Sequence, residues 1–129
     1  MDNEIIFHPI GYIKTEFKNK EDMPKNSNNN HEAYIELNEK YLEGICDMEV
    51  GEEYMILFHF NKCYGYELKV PFKGDGPIMG VFSTHAPNRP NPIGVSNIKI
   101  TEINGNKIKF KGVDMLDNTP VLDIKDLIK

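Results

Sequence analysis

With 129 residues, 40% of them hydrophobic, and a formal charge of -5 from 20 acidic and 15 basic side chains, the chain is sized for one core and leaves no room for a second independent domain. That apolar content excludes a disordered polymer, and the acidic balance supplies no global attraction to nucleic acid. No stretch approaches the roughly 18 apolar residues that cross a bilayer, the longest, Met55 to Phe58, being stopped by His59 and Asn61.

The opening Met1-Asp2-Asn3-Glu4 is acidic where a signal peptide is basic, so a cytoplasmic protein without membrane attachment is expected. Cys46 and Cys63 lack metal-ligand spacing and read as buried small hydrophobes. From Ile5 to Phe17, Ile6, Ile10 and Tyr12 suggest an N-terminal strand whose start is irregular at Pro9 and Gly11. Residues 19–31 are almost wholly polar and read as a flexible loop. Ala33, Ile35 and Leu37 alternate as in a strand, and Asn38 to Leu42 can make a helical turn ended by Gly44.

Tyr54 to Phe60 is short, apolar and aromatic, as a central strand requires. Tyr64, Tyr66, Leu68 and Val70 repeat with period two up to Pro71, and a turn over 73–77 precedes a short strand from Ile78 to Phe82. Ile98, Ile100, Ile108 and Phe110 flank Asn104-Gly105, the pair that a type I′ hairpin turn favours. Val121 to Ile124 adds a last strand. Six to eight short strands with frequent polar turns predict one mostly β domain over residues 1–129, a closed or nearly closed barrel with short helical or irregular connections, a sandwich being the alternative.

Two segments exceed what folding alone asks for. Between Ser83 and Gly94, prolines 87, 90 and 92 hold Ala86, Arg89 and Asn91 extended, giving a stiff loop loaded with hydroxyl, imidazole, amide and guanidinium groups. A plain strand crossover would use the same prolines. Arg89 is the sole arginine, so any bidentate phosphate work falls to it alone, and a salt bridge to Asp114 or Asp117 is the competing use. The second segment, Asp114 to Lys125, places three carboxylates at spacings unlike those of an EF-hand, and the four histidines form no ligand pattern, so no metal is expected.

The run GVFSTHAPNRPNPIG followed by GVDMLDNTPVLDIK, with the opening IGYIKTEF and the middle YIELNEKYLEGICDMEVGEEYMILFHFNK, resembles the TsaA-like (YaeB-like) family. The resemblance implies a small YaeB-like β-barrel that forms a homodimer, uses S-adenosylmethionine, and methylates N6 of threonylcarbamoyladenosine next to the anticodon of tRNA. By motif position it implies cofactor contacts from Asn26, Ser27, Asn61, Lys62, His85 and Val95, and from Leu116, Asp117, Asn118 and Thr119.

On that reading the protein aligns nitrogen, methyl and sulfur, and His85, Asp117 and Asp123 are the catalytic candidates for taking the proton. Arg89 and Asn91 are the substrate-side candidates. The family's usual arginine is here His85, its usual glycine is Asn118, Thr15-Glu16 replaces a serine-proline pair, and Pro24-Lys25-Asn26 departs from Pro-Arg-Gln. Imidazole in place of guanidinium removes a permanent charge and a forked donor. The alternative function is a non-catalytic module that binds S-adenosylmethionine or another small ligand.

Overall fold

The computed structural model describes residues 3–23 and 30–128. Alternation of apolar and polar residues produces eight strands: β1 (Gly11–Lys14), β2 (Glu32–Leu37), β3 (Glu53–His59), β4 (Lys69–Pro71), β5 (Ile78–Gly80), β6 (Ile93–Asn104), β7 (Lys107–Lys111) and β8 (Pro120–Asp126). Along β6, Gly94, Ser96, Ile98 and Ile100 turn inward while their neighbours face out. The inward set of Ile13, Ile35, Ile56, Ile98, Ile100, Ile108, Phe110 and Val121 is sealed from solvent. Each such side chain contributes about 1.5–3 kcal/mol by leaving water.

The fold class expected from sequence is corrected. In place of a small YaeB-like β-barrel, the chain builds a mostly β fold on a six-stranded sheet with the neighbour order β1-β2-β7-β6-β3-β8, and β4 and β5 form a separate two-stranded sheet. The last edge, between β1 and β8, meets through two residue pairs only, Gly11 with Val121 and Tyr12 with Pro120. By contrast β3 is central, paired along its length with β6 and with β8, and its register to β8 shifts between Leu57 and Phe58. One seven-residue 3-10 helix, Glu39–Ile45, follows β2, with Asn38 accepting a hydrogen bond from the Lys40 amide.

Several local expectations change for physical reasons. The N-terminal strand contracts to Gly11–Lys14, leaving Ile5, Ile6 and Phe7 exposed. Tyr64, Tyr66 and Leu68 do not pair; only Lys69–Pro71 does, because its partner Ile78–Gly80 is equally short before Val81–Ser83 coils into a 3-10 turn. The β6–β7 hairpin turns at Gly105-Asn106, one residue later than expected. Gly105 takes φ 62° there, and the Asn106 side chain donates to the Leu37 carbonyl at 2.9 Å, tying the hairpin to β2. Cys46 is exposed and Cys63 half-buried, so neither acts as the core hydrophobe expected of it.

Candidate functional site

The floor of the site is aromatic. Phe58 and Phe60, at the end of β3, pack edge to face with centroids 5.0 Å apart, and Gly94 lies beneath them. The proline-rich loop returns above this floor, fastened by the Phe60 amide donating to the Pro92 carbonyl at 2.8 Å. Its shape is locked from inside: Arg89 donates to the carbonyls of Ala86 (2.9 Å), Thr84 (3.0 Å) and Val81 (3.3 Å), while the buried Thr84 hydroxyl donates to Val81 and accepts from the Ala86 amide. The guanidinium is thus committed to backbone carbonyls rather than to Asp114 or Asp117.

The second segment is pinned by β1. Asn118 and Asp117 donate their amides to the carbonyls of Ile13 and Phe17, Thr119 accepts from the Ile13 amide, and the Thr119 hydroxyl donates to Leu116. These bonds bring Leu116 and Thr119 to face Pro87 across a cavity of about 340 Å³, whose rim carries Asn61, Lys62, Lys18 and Glu21 and whose walls include Phe58, Phe60 and Met115. A cleft of about 1190 Å³ adjoins it, lined by His85, Arg89, Asn91 and Val95 together with Lys73, Lys99 and Lys111. Four residues wall both spaces: Phe58, Phe60, Pro87 and Asp114.

The residues singled out in the sequence therefore fall into separate groups. Asn61, Lys62, Leu116 and Thr119 share the smaller cavity, whereas His85, Val95, Arg89 and Asn91 line the cleft. Asn26 and Ser27 lie outside the described residues, as do Pro24 and Lys25. Asp117 and Asn118 line a different hollow beside β1 and β2. There Asn118 accepts from the Lys14 ammonium at 2.6 Å, and the Asp117 carboxylate bonds Lys18 at 2.5 Å and the Thr15 amide at 3.0 Å. Burial pushes the Asp117 carboxyl up, but the hydrogen bonds of Lys18 and Thr15 and the charges of Lys18 and Lys14 outweigh it, holding the group below the usual carboxylate range. Asp123 pairs with Lys125 at 3.0 Å and lines a further hollow near Tyr41 and Tyr54.

The sequence placed Asp114 at the start of the second candidate segment without giving it a catalytic or cofactor-binding role. Its neighbours Val113 and Met115 are core, so the carboxylate between them is drawn inward. Burial pushes its carboxyl above the ordinary range, opposed by hydrogen bonds from Ser96 and from its own backbone. Its Oδ1 is buried and has no hydrogen-bond partner among the described residues. A carboxylate flanked by two apolar residues in the connection after β7 was the available signal.

Comparison with known proteins gives this geometry a context. The chain is 36% identical over 126 residues to a probable S-adenosyl-L-methionine-binding protein of Pyrococcus abyssi, a match covering 96% of this chain and 68% of that one. It is 34% identical over 122 residues to an S-adenosyl-L-methionine-binding protein of Archaeoglobus fulgidus, covering 94% and 88%. A tRNA (adenine(37)-N6)-methyltransferase of Mus musculus is 34% identical over 133 residues, covering 96% of this chain and 31% of the mouse protein. Among solved structures, TrmO from Pseudomonas aeruginosa superposes with a TM-score of 0.79 at 28% identity, over 98% of this chain and 57% of that one. The chain thus spans a little over half the length of that solved protein.

The assignment to a TsaA-like (YaeB-like) family is corrected by the family whose model matches, tRNA-methyltransferase O N-terminal domain, over residues 12–129. This match runs through β2 to β8 and nearly all of β1. Among the described residues no helix is long and apolar enough to cross a membrane. The chain belongs to the family of the tRNA-methyltransferase O N-terminal domain.

Proposed function

We propose that this protein transfers the methyl group of S-adenosylmethionine to N6 of the adenosine at position 37 of tRNA, the base next to the anticodon, in its threonylcarbamoyl-modified form. The observation that carries the reading is the shared wall. A cavity of about 340 Å³ adjoins a cleft of about 1190 Å³ through Phe58, Phe60, Pro87 and Asp114, so two ligands held one in each would meet there. The smaller space is in the size range of small-ligand sites. Its chemistry suits a nucleoside with a charged tail: Phe58, Phe60, Met115 and Leu116 offer apolar faces, Asn61 an amide, Lys62 a partner for a carboxylate and Glu21 a partner for an ammonium. The bound cofactor supplies an activated methyl group, and the protein's part is alignment and exclusion of water.

The cleft suits the RNA. Lys73, Lys99 and Lys111 line it, giving a local cationic surface on a chain whose net charge is -5. The names of the Pyrococcus, Archaeoglobus and mouse relatives support cofactor and substrate alike. A homodimer is part of the same reading: Tyr66, Leu68, Ile78 and Phe82 stand 58%, 60%, 66% and 75% exposed on and beside the β4–β5 ribbon, an apolar face suited to a second copy. Light scattering should return twice 14.8 kDa.

The test incubates the purified chain with S-adenosylmethionine and tRNA bearing threonylcarbamoyladenosine and looks for a mass gain of one methyl. Cofactor binding without that gain would favour the second reading, a non-catalytic binding module. Its specific motivation is the chain's net charge of -5, which supplies no global attraction to RNA.

A further inference from the structure

We propose that Asp114 is the catalytic base of the transfer, its carboxylate receiving the proton that the attacking nitrogen must lose. The inference rests on the methyl-transfer reading above. Asp114 is the only carboxylate on the wall common to the small cavity and the cleft. Its Oδ1 is buried without a partner among the described residues, while Ser96 on β6 holds the carboxyl in place. Native structures leave few buried polar atoms unpaired, so a carboxyl kept on this wall with an unsatisfied oxygen is held there at a cost that packing alone does not explain.

The other carboxylates considered are spent elsewhere. Asp117 is bonded to Lys18 in a different hollow, and Asp123 pairs with Lys125 in a further one. His85 is exposed and lines the cleft but not the small cavity. The other charged side chains lining the two spaces are Lys18, Lys20, Lys62 and Glu21 around the small cavity and Lys73, Arg89, Lys99, Lys111 and Glu53 around the cleft. None of them figures among the groups that set the Asp114 carboxyl, which are its burial, Ser96 and its own backbone.

The step balances. The nitrogen lone pair forms the new N–CH3 bond while the S–CH3 bond breaks and leaves its electrons on sulfur. The N–H electrons return to nitrogen, and the proton goes to the Asp114 carboxylate. A carboxylate and a sulfonium enter, and a carboxylic acid and a thioether leave, so both charges vanish together. Desolvation favours that outcome, because a buried carboxylate gains by becoming neutral.

Asp114→Asn keeps the shape and a hydrogen bond with Ser96 while removing the proton acceptor. We expect kcat to fall by about 100-fold or more. The calorimetric affinity for S-adenosylmethionine and the melting temperature should stay close to wild type, and Asp114→Glu should recover part of the rate. Independently of activity, a carbon-13 titration of the Asp114 carboxyl in the wild-type protein should show a midpoint above the ordinary carboxylate range. Near-wild-type turnover by Asp114→Asn overturns the proposal, as does equal loss of folding and activity in both variants. A midpoint in the ordinary range also overturns it, since the carboxylate would then be solvated. If the wild-type chain gives no methyl gain, the transfer reading fails and the base falls with it; methyl gain by wild type and Asp114→Asn alike removes the base alone.

Discussion

Gly94 of β6 sits opposite Phe58 of β3, so close that a Cβ on the glycine would stand 2.4 Å from the ring's Cζ and 2.8 Å from that of Phe60. The glycine is what leaves room for the two rings that wall both cavities. Gly94→Ala forces the two rings apart, and overpacking of this kind costs about 1–3 kcal/mol. Thermal unfolding should show that loss together with weaker cofactor binding by calorimetry. Gly80→Ala, where an added Cβ meets nothing within 4 Å, should show neither.

Arg89 spends its guanidinium on the carbonyls of Val81, Thr84 and Ala86. A lysine keeps the charge but not the fork, and hydrogen bonds to charged groups are worth about 1.5–3 kcal/mol each. Arg89→Lys should therefore lower the melting temperature and speed proteolysis within residues 84–92. A variant with unchanged stability and a raised KM for tRNA alone would instead make Arg89 a phosphate contact.

Asn118 holds φ 66°, a left-handed conformation that costs most residues about 1–2 kcal/mol. Asn118→Ala should lose stability of that order, and Asn118→Gly should largely keep it. Because the side chain bonds Lys14 and lies outside the small cavity, neither change should alter cofactor affinity more than slightly. Equal folding with much weaker binding would return Asn118 to the site.

Asp117 gives a pH signature. Its carboxyl is held below its ordinary value in the folded state, so it stabilises the fold fully above the unfolded carboxylate's pKa, near about 3.9. That stability is lost as the pH falls through the folded value. The melting temperature of Asp117→Asn should thus lie below wild type at neutral pH, and the gap should close in acid. Lys18 is largely exposed, so added salt should narrow the gap as well.

Some of this was legible before any coordinates. Period-two alternation marked β2, β6 and β7, because one face of each strand meets the core and the other meets water. The dense run from Tyr54 to Phe60 marked the central strand, and the prolines marked the stiff loop. The same logic misled at Tyr64 to Val70, where alternation is present but the partner strand is only three residues long.

Sequence alone therefore determined which residues prefer strand, turn and core, since those preferences act within a few positions of one another. Only tertiary structure decided that Leu116 and Thr119 face Pro87 while the adjacent Asp117 and Asn118 face Lys18 and Lys14. It likewise decided that Asp114, one carboxylate of three in its segment, stands at the wall of both cavities. The reason is physical: the side a residue shows is set by hydrogen bonds to β1, a hundred residues away, and spacing along the chain carries no record of them.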